Sequence, residues 1–437
     1  MNNNLKTYTI YQVYVRNFTK EGTLKALINK LGYIKDLGAK IIQLLPINEI
    51  GMDGRKGTLG SPYAIKDYYK INHELGTLDD FKELIKKAHE MDLLIMMDVV
   101  FNHTSRDCIL IKEHPEFYYR DKDGNLANRF GDWSDVYDLN YTNNLPLFDY
   151  VTKILEYYTN LGVDGYRFDV ASLLPNDFYK YAIPKIRKIN KDLILLGEAI
   201  EPGFATSIRQ NCGNADSDSE LYEDGFDLLY RYSNYGFLRE YLHTHQTSYL
   251  ELYKVGIYLE NVTLPTTALK IGTIENHDCE RICSYTNYDP LRMNIIAYSF
   301  FLKGTGFVYC GQESKEYKLP SLFEKDLIST KVFDTNYYNF IKKLIELKSN
   351  KENLDLIQTN VLKIIGKAIG LINIYKNHEP IIGLFNFDVN PIVIKLKDLK
   401  DGAYLNIINN ERVVIHNNSI KVNGPLYLKK LNDDISR

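Results

Sequence analysis

Eight segments that read as strands, alternating with segments that read as helices, predict a parallel (β/α)8 barrel over most of the chain. The polar, irregular stretch at 101–145 is too long for a strand-to-helix loop and predicts a short inserted subdomain after the third strand. After about residue 350 the texture changes to short β segments separated by Gly, Asn, Asp and Pro, which predicts a C-terminal antiparallel β-sandwich. The expected division is a barrel over 1–101 and 146–350, the insert over 102–145 and the sandwich over 351–437.

Residues 8–15 alternate and are rich in Tyr, Val and Ile, as a first strand should be. Thr23 opens a helical run to 35, with Leu24, Leu27, Ile28, Leu31 and Ile34 at helical spacing, and Gly38 closes it. The second strand, 41–45, stops at Pro46, and a long loop leads through Gly60, Pro62 and Tyr63. Thr77 caps the next helix, with Asp79 and Asp80 in its first turn and Phe81, Leu84, Ile85 and Ala88 inward. The near-continuous apolar run 93–100 fits a parallel strand covered on both faces.

Helix 147–161, strand 163–168, helix 175–189 and strand 193–197 resume the alternation beyond the insert. Strands follow at 226–230, 269–274 and 306–309, with helices at 237–242, 291–302 and 337–347. Seven short strands at 361–365, 369–375, 381–387, 392–396, 404–408, 413–415 and 426–428 make up the sandwich.

Composition excludes several classes. With 437 residues, 45% hydrophobic and 25% charged, the chain reads as an ordinary soluble globular protein. A net charge of -3 gives no electrostatic case for nucleic acid or an anionic membrane as partner. The start lacks an apolar signal core, and no run nears the ~18 apolar residues of a membrane span, so a cytoplasmic location is expected. Cys108, Cys212, Cys279, Cys283 and Cys310 are few, odd in number and scattered, which fits reduced thiols. Cys279 and Cys283 have no second pair nearby to complete a zinc site.

Barrel enzymes carry their chemistry at the carboxyl ends of the strands, and those ends are unusually polar here. The third ends in Asp98 before Asn102-His103, the fourth in Arg167 and Asp169, the fifth in Glu198, the seventh in Glu275-Asn276-His277-Asp278 with Arg281 beyond. Arg167 and Asp169 lie two apart, so on a strand they face the same side. An arginine beside an aspartate favours the ionised form a carboxylate nucleophile needs. Any one acid at a strand end is ordinary, a helix cap or an ion-pair partner. Three from three different strands would converge on one rim.

These segments resemble the conserved regions of the α-amylase family of glycoside hydrolases and transferases. The resemblance rests on Asp98-Val99-Val100-Phe101-Asn102-His103, Asp164-Gly165-Tyr166-Arg167-Phe168-Asp169-Val170-Ala171, Gly197-Glu198-Ala199 and Asn276-His277-Asp278. Gly60-Ser61-Pro62-Tyr63 with Asp67-Tyr68, Asp138-Leu139-Asn140 and Tyr309-Cys310-Gly311-Gln312-Glu313 add to it. It implies Asp169 as nucleophile, Glu198 as general acid/base and Asp278 as transition-state stabiliser. It also implies substrate contacts from Tyr63, His103, Arg167, His277 and Arg281, with Asp98 bracing the site. Of 35 tyrosines only Tyr63 is singled out, as a ring on which the sugar stacks. Gln312 and Glu313 fit a rim or a structural role equally.

A retaining mechanism, in which an enzyme carboxylate and then water displace in turn, uses one carboxyl to attack and one to protonate. Glu198 has no neighbouring arginine in sequence and lies beside Ala199 and Ile200, so its pKa is expected to be raised. Many calcium-binding members of the family carry Lys-His shortly after the nucleophile segment, and the run Asp169-Val170-Ala171-Ser172-Leu173-Leu174-Pro175 here lacks it. Asn102 and Asp138 still match family calcium positions, and calcium accepts such hard oxygens. The Asp-Val-Ala form is similar to neopullulanase-like, oligosaccharide-acting members. The resemblance thus implies an enzyme cleaving α-1,4 bonds of maltodextrins or starch. The alternatives are a 4-α-glucanotransferase, an α-1,6-acting glucosidase and, remotely, a non-catalytic glycan-binding barrel.

Overall fold

The computed structural model describes residues 3–129, 133–211, 213, 215–397 and 399–431. Eight parallel strands close into a barrel in which each pairs with its neighbours. In chain order they are Thr9–Val13, Ile41–Leu44, Leu94–Val99, Gly165–Phe168, Ile194–Gly197, Leu228–Tyr230, Leu269–Ile271 and Gly304–Tyr309. The last lies against the first, Thr9 opposite Gly306 and Gln12 opposite Tyr309. Only glycine fits at 304, where the eighth strand runs against the seventh. Its φ is +137°, and a Cβ there would stand 1.9 Å from the Lys270 carbonyl oxygen.

Several helix signals act as read. The Thr77 and Asp80 side chains form a reciprocal cap on the Leu78–Glu90 helix. Gly38, at φ +99°, ends the Leu31–Leu37 helix. The run expected at 23–35 is broken at Asn29 and Lys30 into Leu24–Ile28 and Leu31–Leu37. Between the fifth and sixth strands, where no helix span was assigned, lie Pro202–Gln210 and Asp218–Glu223. Within the loop expected after the second strand, Asn48–Ile50 pairs antiparallel with Ile65–Ile71. The insert holds one small hairpin, His103–Ser105 against Val136–Asp138.

Beyond Leu356 the strands are antiparallel. Leu356–Ile365, Ala368–Tyr375, Ile381–Asn386, Leu426–Lys430, Gly402–Asn406 and Glu411–Ile415 form one sheet, and Ile392–Lys395 pairs with Ser419–Val422. Ser419–Val422, absent from the sequence reading, makes the strands eight among the described residues. Alternation divides the large sheet between two cores. Ala368 and Leu384 face a core with Ile394 and Ile415. Ile369, Leu371, Phe385 and Tyr427 join the barrel core, where Phe301 lies 5.6 Å from Phe385 and 4.9 Å from Tyr427 between ring centres.

Candidate active site

Strand register builds the site. Asp98 lies opposite Arg167 on adjacent strands, so their side chains share a layer. Arg167 Nη1 donates to both Asp98 oxygens, at 2.9 and 3.1 Å. The ladder continues one residue past two strand ends: Asp169 N–H donates to the Val99 carbonyl (3.0 Å) and Glu198 N–H to that of Phe168 (3.1 Å). Both carboxyls thereby keep strand geometry at the rim. Arg167 Nη1 also donates to Asp169 Oδ1 (2.8 Å), and Nη2 lies 2.9 Å from Glu198 Oε1. One fully buried guanidinium therefore holds three acids, between the rings of Tyr63 and Tyr230.

Val170 follows Asp169 with φ at +40°, a left-handed conformation that a β-branched residue rarely adopts. The turn aims its N–H at Glu198 Oε2, 2.7 Å away. Asp278 is placed by Asn276, whose Oδ1 accepts the N–H groups of Asp278 and Cys279 at 2.9 Å each. Its carboxylate is 3.0 Å from His277 Nε2 and 45% exposed. The His277 and Tyr63 rings stack at 5.4 Å, and the Tyr63 hydroxyl meets both His277 Nε2 and Asp98 Oδ2 (2.9 Å).

The electrostatics separate the acids. Burial pushes Asp169 up to about 7 against the pull of Arg167. Burial pushes Glu198 to about 7 against the same pull, with Asp169 and Asp278 adding to the rise. Asp98 is raised to about 6 by burial. Asp278 moves the other way: burial raises it, but His277 and Arg167 outweigh that and hold it below the ordinary range. His277 is raised because Asp278 outweighs burial, and His103 is lowered by burial.

A cavity of about 310 Å³ opens onto Ser61, Tyr63, His103, Asp169, Glu198 and Asp278. The insert contributes Trp133 and Asp135 to its wall, and the segment after the eighth strand contributes Leu322 and Phe323. Trp133 lies 5.2 Å from the His103 ring, and Lys56 pairs with Asp135 at 3.2 Å. Sequence reasoning missed these outer residues. Trp133, the only tryptophan, was the one available signal.

Several expectations need correction. Arg167 was expected to lower the pKa of Asp169, yet Asp169 is raised, because the guanidinium is divided among three acids and burial prevails. Glu198, which has no arginine beside it in sequence, receives Arg167 from the neighbouring strand, and its pKa is raised as expected because burial outweighs that charge. Arg167 and His277 stand behind the cavity wall, buried, and touch its carboxyls. Arg281 is not a wall residue. It is fully buried over the Tyr309 ring, bonded to Glu275 (2.9 Å) and to the Cys310 carbonyl (2.9 Å). Glu313 accepts the Tyr11 and Tyr33 hydroxyls at 2.7 and 2.6 Å, which makes it structural.

Asn102 and Asp138 do not form a calcium cage. Arg129 already lies on Asp138, its N–H 2.7 Å and its Nε 3.4 Å from Oδ2, while the Asn102 amide faces His103 Nδ1 at 3.2 Å. Asp138 Oδ1 has no hydrogen-bond partner among the described residues, but a cation reaching it would meet the guanidinium's like charge. Among the described residues no group of three His, Cys, Asp or Glu side chains could hold a metal. Cys108, Cys279, Cys283 and Cys310 are free thiols, and Cys212 lies outside the described residues. No described helix is long and apolar enough to cross a membrane.

The barrel and its rim define a barrel enzyme with a cluster of carboxyls at the strand ends. The chain belongs to the α-amylase family of glycoside hydrolases: the model for the α-amylase catalytic domain matches residues 12–123 and 128–331. A bacterial α-amylase C-terminal domain matches 371–425. The fold is similar to that of an α-amylase from Lactobacillus plantarum, with a TM-score of 0.90 and 35% identity over 98% of this chain and 100% of that one. It is also similar to a noncanonic maltogenic α-amylase from Thermotoga neapolitana, at 0.85 and 28% over 98% and 100%. Among curated relatives, a maltosyltransferase acting between α-1,4-glucan and maltose 1-phosphate from Picrophilus torridus is 30% identical over 51% of this chain. That match spans 36% of the relative's length, and the one to α-amylase 3 of Dictyoglomus thermophilum spans 43%, at 32% identity over 44% of this chain.

Proposed function

We propose that this chain is a retaining α-glucan hydrolase that cleaves α-1,4 bonds of maltodextrins. Asp169 attacks the anomeric carbon, Glu198 protonates the leaving oxygen and then activates water, and Asp278 stabilises the positive charge developing on the sugar ring. The observation that carries the reading is Arg167, one guanidinium holding Asp169 and Glu198 side by side at the cavity. Burial raises both well above the ordinary carboxylate range, and the charge of Asp169 raises Glu198 further, which favours a proton shared within the pair over two ionised carboxylates. One acid is then ionised for attack and one is protonated for donation. Asp278, kept ionised by His277, supplies a fixed negative charge beside them. Tyr63 and His103, on the cavity wall, bind the sugar in this reading. The expected division into 1–101 with 146–350, 102–145 and 351–437 belongs to the same proposal.

Proton NMR of the first products from maltotriose tests the reading, since retention requires the α-anomer to appear before mutarotation. A β-anomer first, or no turnover of maltotriose, starch, pullulan or isomaltose, overturns it. Early products longer than maltotriose would mean that a sugar hydroxyl replaces water as acceptor, which makes the enzyme a glucanotransferase on the same intermediate.

A further inference from the structure

Among the described residues Lys254, Lys270 and Lys348 are the buried lysines. Two of them are provided for. Lys254, on the helix Thr247–Thr263, donates to the Gly366 and Ala368 carbonyls at 2.7 and 3.3 Å and lies 3.3 Å from Glu251. Lys270 pairs with Asp218 and donates to the Ser233 hydroxyl at 2.9 Å. Lys348 is the exception. Its ammonium has one acceptor among the described residues, the Leu302 carbonyl at 2.9 Å, and no carboxylate there pairs with it. An ammonium carries three N–H donors, so two are left over. Burying a charge without a partner is costly. Burial, with the like charge of Arg231, pushes Lys348 down to about 7.

Lys348 lines a cavity of about 140 Å³ between the barrel's Thr335–Ser349 helix and the C-terminal sandwich. Phe300, Phe301, Leu344, Ile381 and Tyr427, all buried, form its inner wall. Other polar groups on the wall are already engaged. Asn373 donates to the Phe301 carbonyl (2.9 Å) and accepts from the Thr359 hydroxyl (2.6 Å). Asn353 donates to the Leu347 and Lys348 carbonyls at 2.9 Å each, and Lys429 pairs with Glu352 at 3.3 Å. The cavity lies at the end of the barrel opposite the acids. Leu302 stands just before the eighth strand begins, and Lys348 closes the helix that returns from it.

We propose that this cavity binds a small carboxylate anion with an apolar body, its carboxylate on Lys348 and its hydrocarbon among the aromatic rings. Three features choose the ligand. The unused ammonium donors need an acceptor, and an anionic one offsets the buried charge where a neutral one does not. The ring-lined inner wall covers a hydrocarbon, whereas an inorganic anion would find nothing there for its remaining oxygens. An apolar cavity of about 150 Å³ is enough to hold benzene, so this one suits a body of roughly six carbons. Bound there, the ligand touches barrel and sandwich together and stabilises the folded chain by mass action.

Calorimetric titration of the full chain with benzoate, and with benzyl alcohol as its uncharged counterpart, tests this. At pH 6 benzoate should bind at least ~tenfold more tightly, the margin of a hydrogen bond between charged groups over a neutral one. Above pH 7 its affinity should fall by up to ~tenfold per pH unit, as the lysine loses the proton that anion binding requires. Affinity for benzyl alcohol should stay level. Lys348→Met keeps the stem and removes the charge, so it should bind benzoate no better than benzyl alcohol. Maltotriose turnover should be unchanged in that variant, since Lys348 does not line the catalytic cavity. The pH series on the native chain stands by itself if the variant fails to fold. Native protein that binds benzoate no tighter than benzyl alcohol, or binds neither, overturns the proposal. So does benzoate affinity that is level from pH 6 to 9, or that Lys348→Met leaves intact.

Discussion

Replacing Arg167 with Met removes the charge shared by three buried acids and keeps the stem. At about 4 Å and an effective dielectric near 20, one such attraction is worth about 4 kcal/mol. At ~1.4 kcal/mol per tenfold change in proton affinity, its loss carries the Asp169 titration upward by about three pH units. Asp169 already stands near 7. A shift of that size leaves Asp169 almost wholly protonated at pH 7. The expected result is a fall of ~10²–10³ in kcat/KM for maltotriose at pH 7, with a recovery of about tenfold per pH unit as the pH rises toward 9. Initial rates from pH 5 to 9.5, each with circular dichroism to confirm folding, provide the assay. A folded Arg167→Met enzyme whose profile keeps the native shape, merely scaled down, would refute the reasoning. The guanidinium would then not be what sets the protonation of the pair.

Asp169→Asn should abolish turnover and raise stability. The folded aspartate holds its proton to about pH 7 where an unfolded one releases it near 4, so its ionisation removes stability as pH rises through that window. Asparagine removes the loss, up to about 4 kcal/mol across that window, and Tm at pH 8 should rise by several degrees. A lower Tm for the variant would contradict this. Gly304→Ala should cost more than ~3 kcal/mol, because a Cβ 1.9 Å from the Lys270 carbonyl forces the barrel seam apart, and insoluble expression is the simplest readout. Chelation by EDTA should move Tm by less than ~1 °C, while Arg129→Met, which strips the buried Asp138 of its cation, should cost about 3 kcal/mol. Calorimetry with and without EDTA distinguishes these outcomes.

The barrel was legible in the sequence because its strands are short, largely apolar segments alternating with helical ones, and caps such as Thr77 and Gly38 use ordinary chemistry. The acids were legible because they sit at strand ends. Arg167 was legible as a neighbour of Asp169 but not of Glu198, since the second contact crosses between strands, and spacing along one strand says nothing about it. The pKa of Asp169 was misjudged for a related reason. A sequence shows the arginine nearby and not the depth at which both lie. Arg281 looked like a rim residue until Glu275, six positions earlier, proved to be its partner. The Thr247–Thr263 helix left no periodic signal because both of its faces carry apolar residues.

The cavity also acts as an electrostatic filter. Its wall carries Asp169, Glu198, Asp278 and Asp135, and Lys56 on the same wall is engaged by Asp135. A phosphate ester entering there would meet carboxylates at close range with little counter-ion to receive it. An uncharged sugar suffers no such repulsion, so an uncharged oligosaccharide is expected to bind in preference to a phosphorylated one of the same size, which competition binding of the two would check.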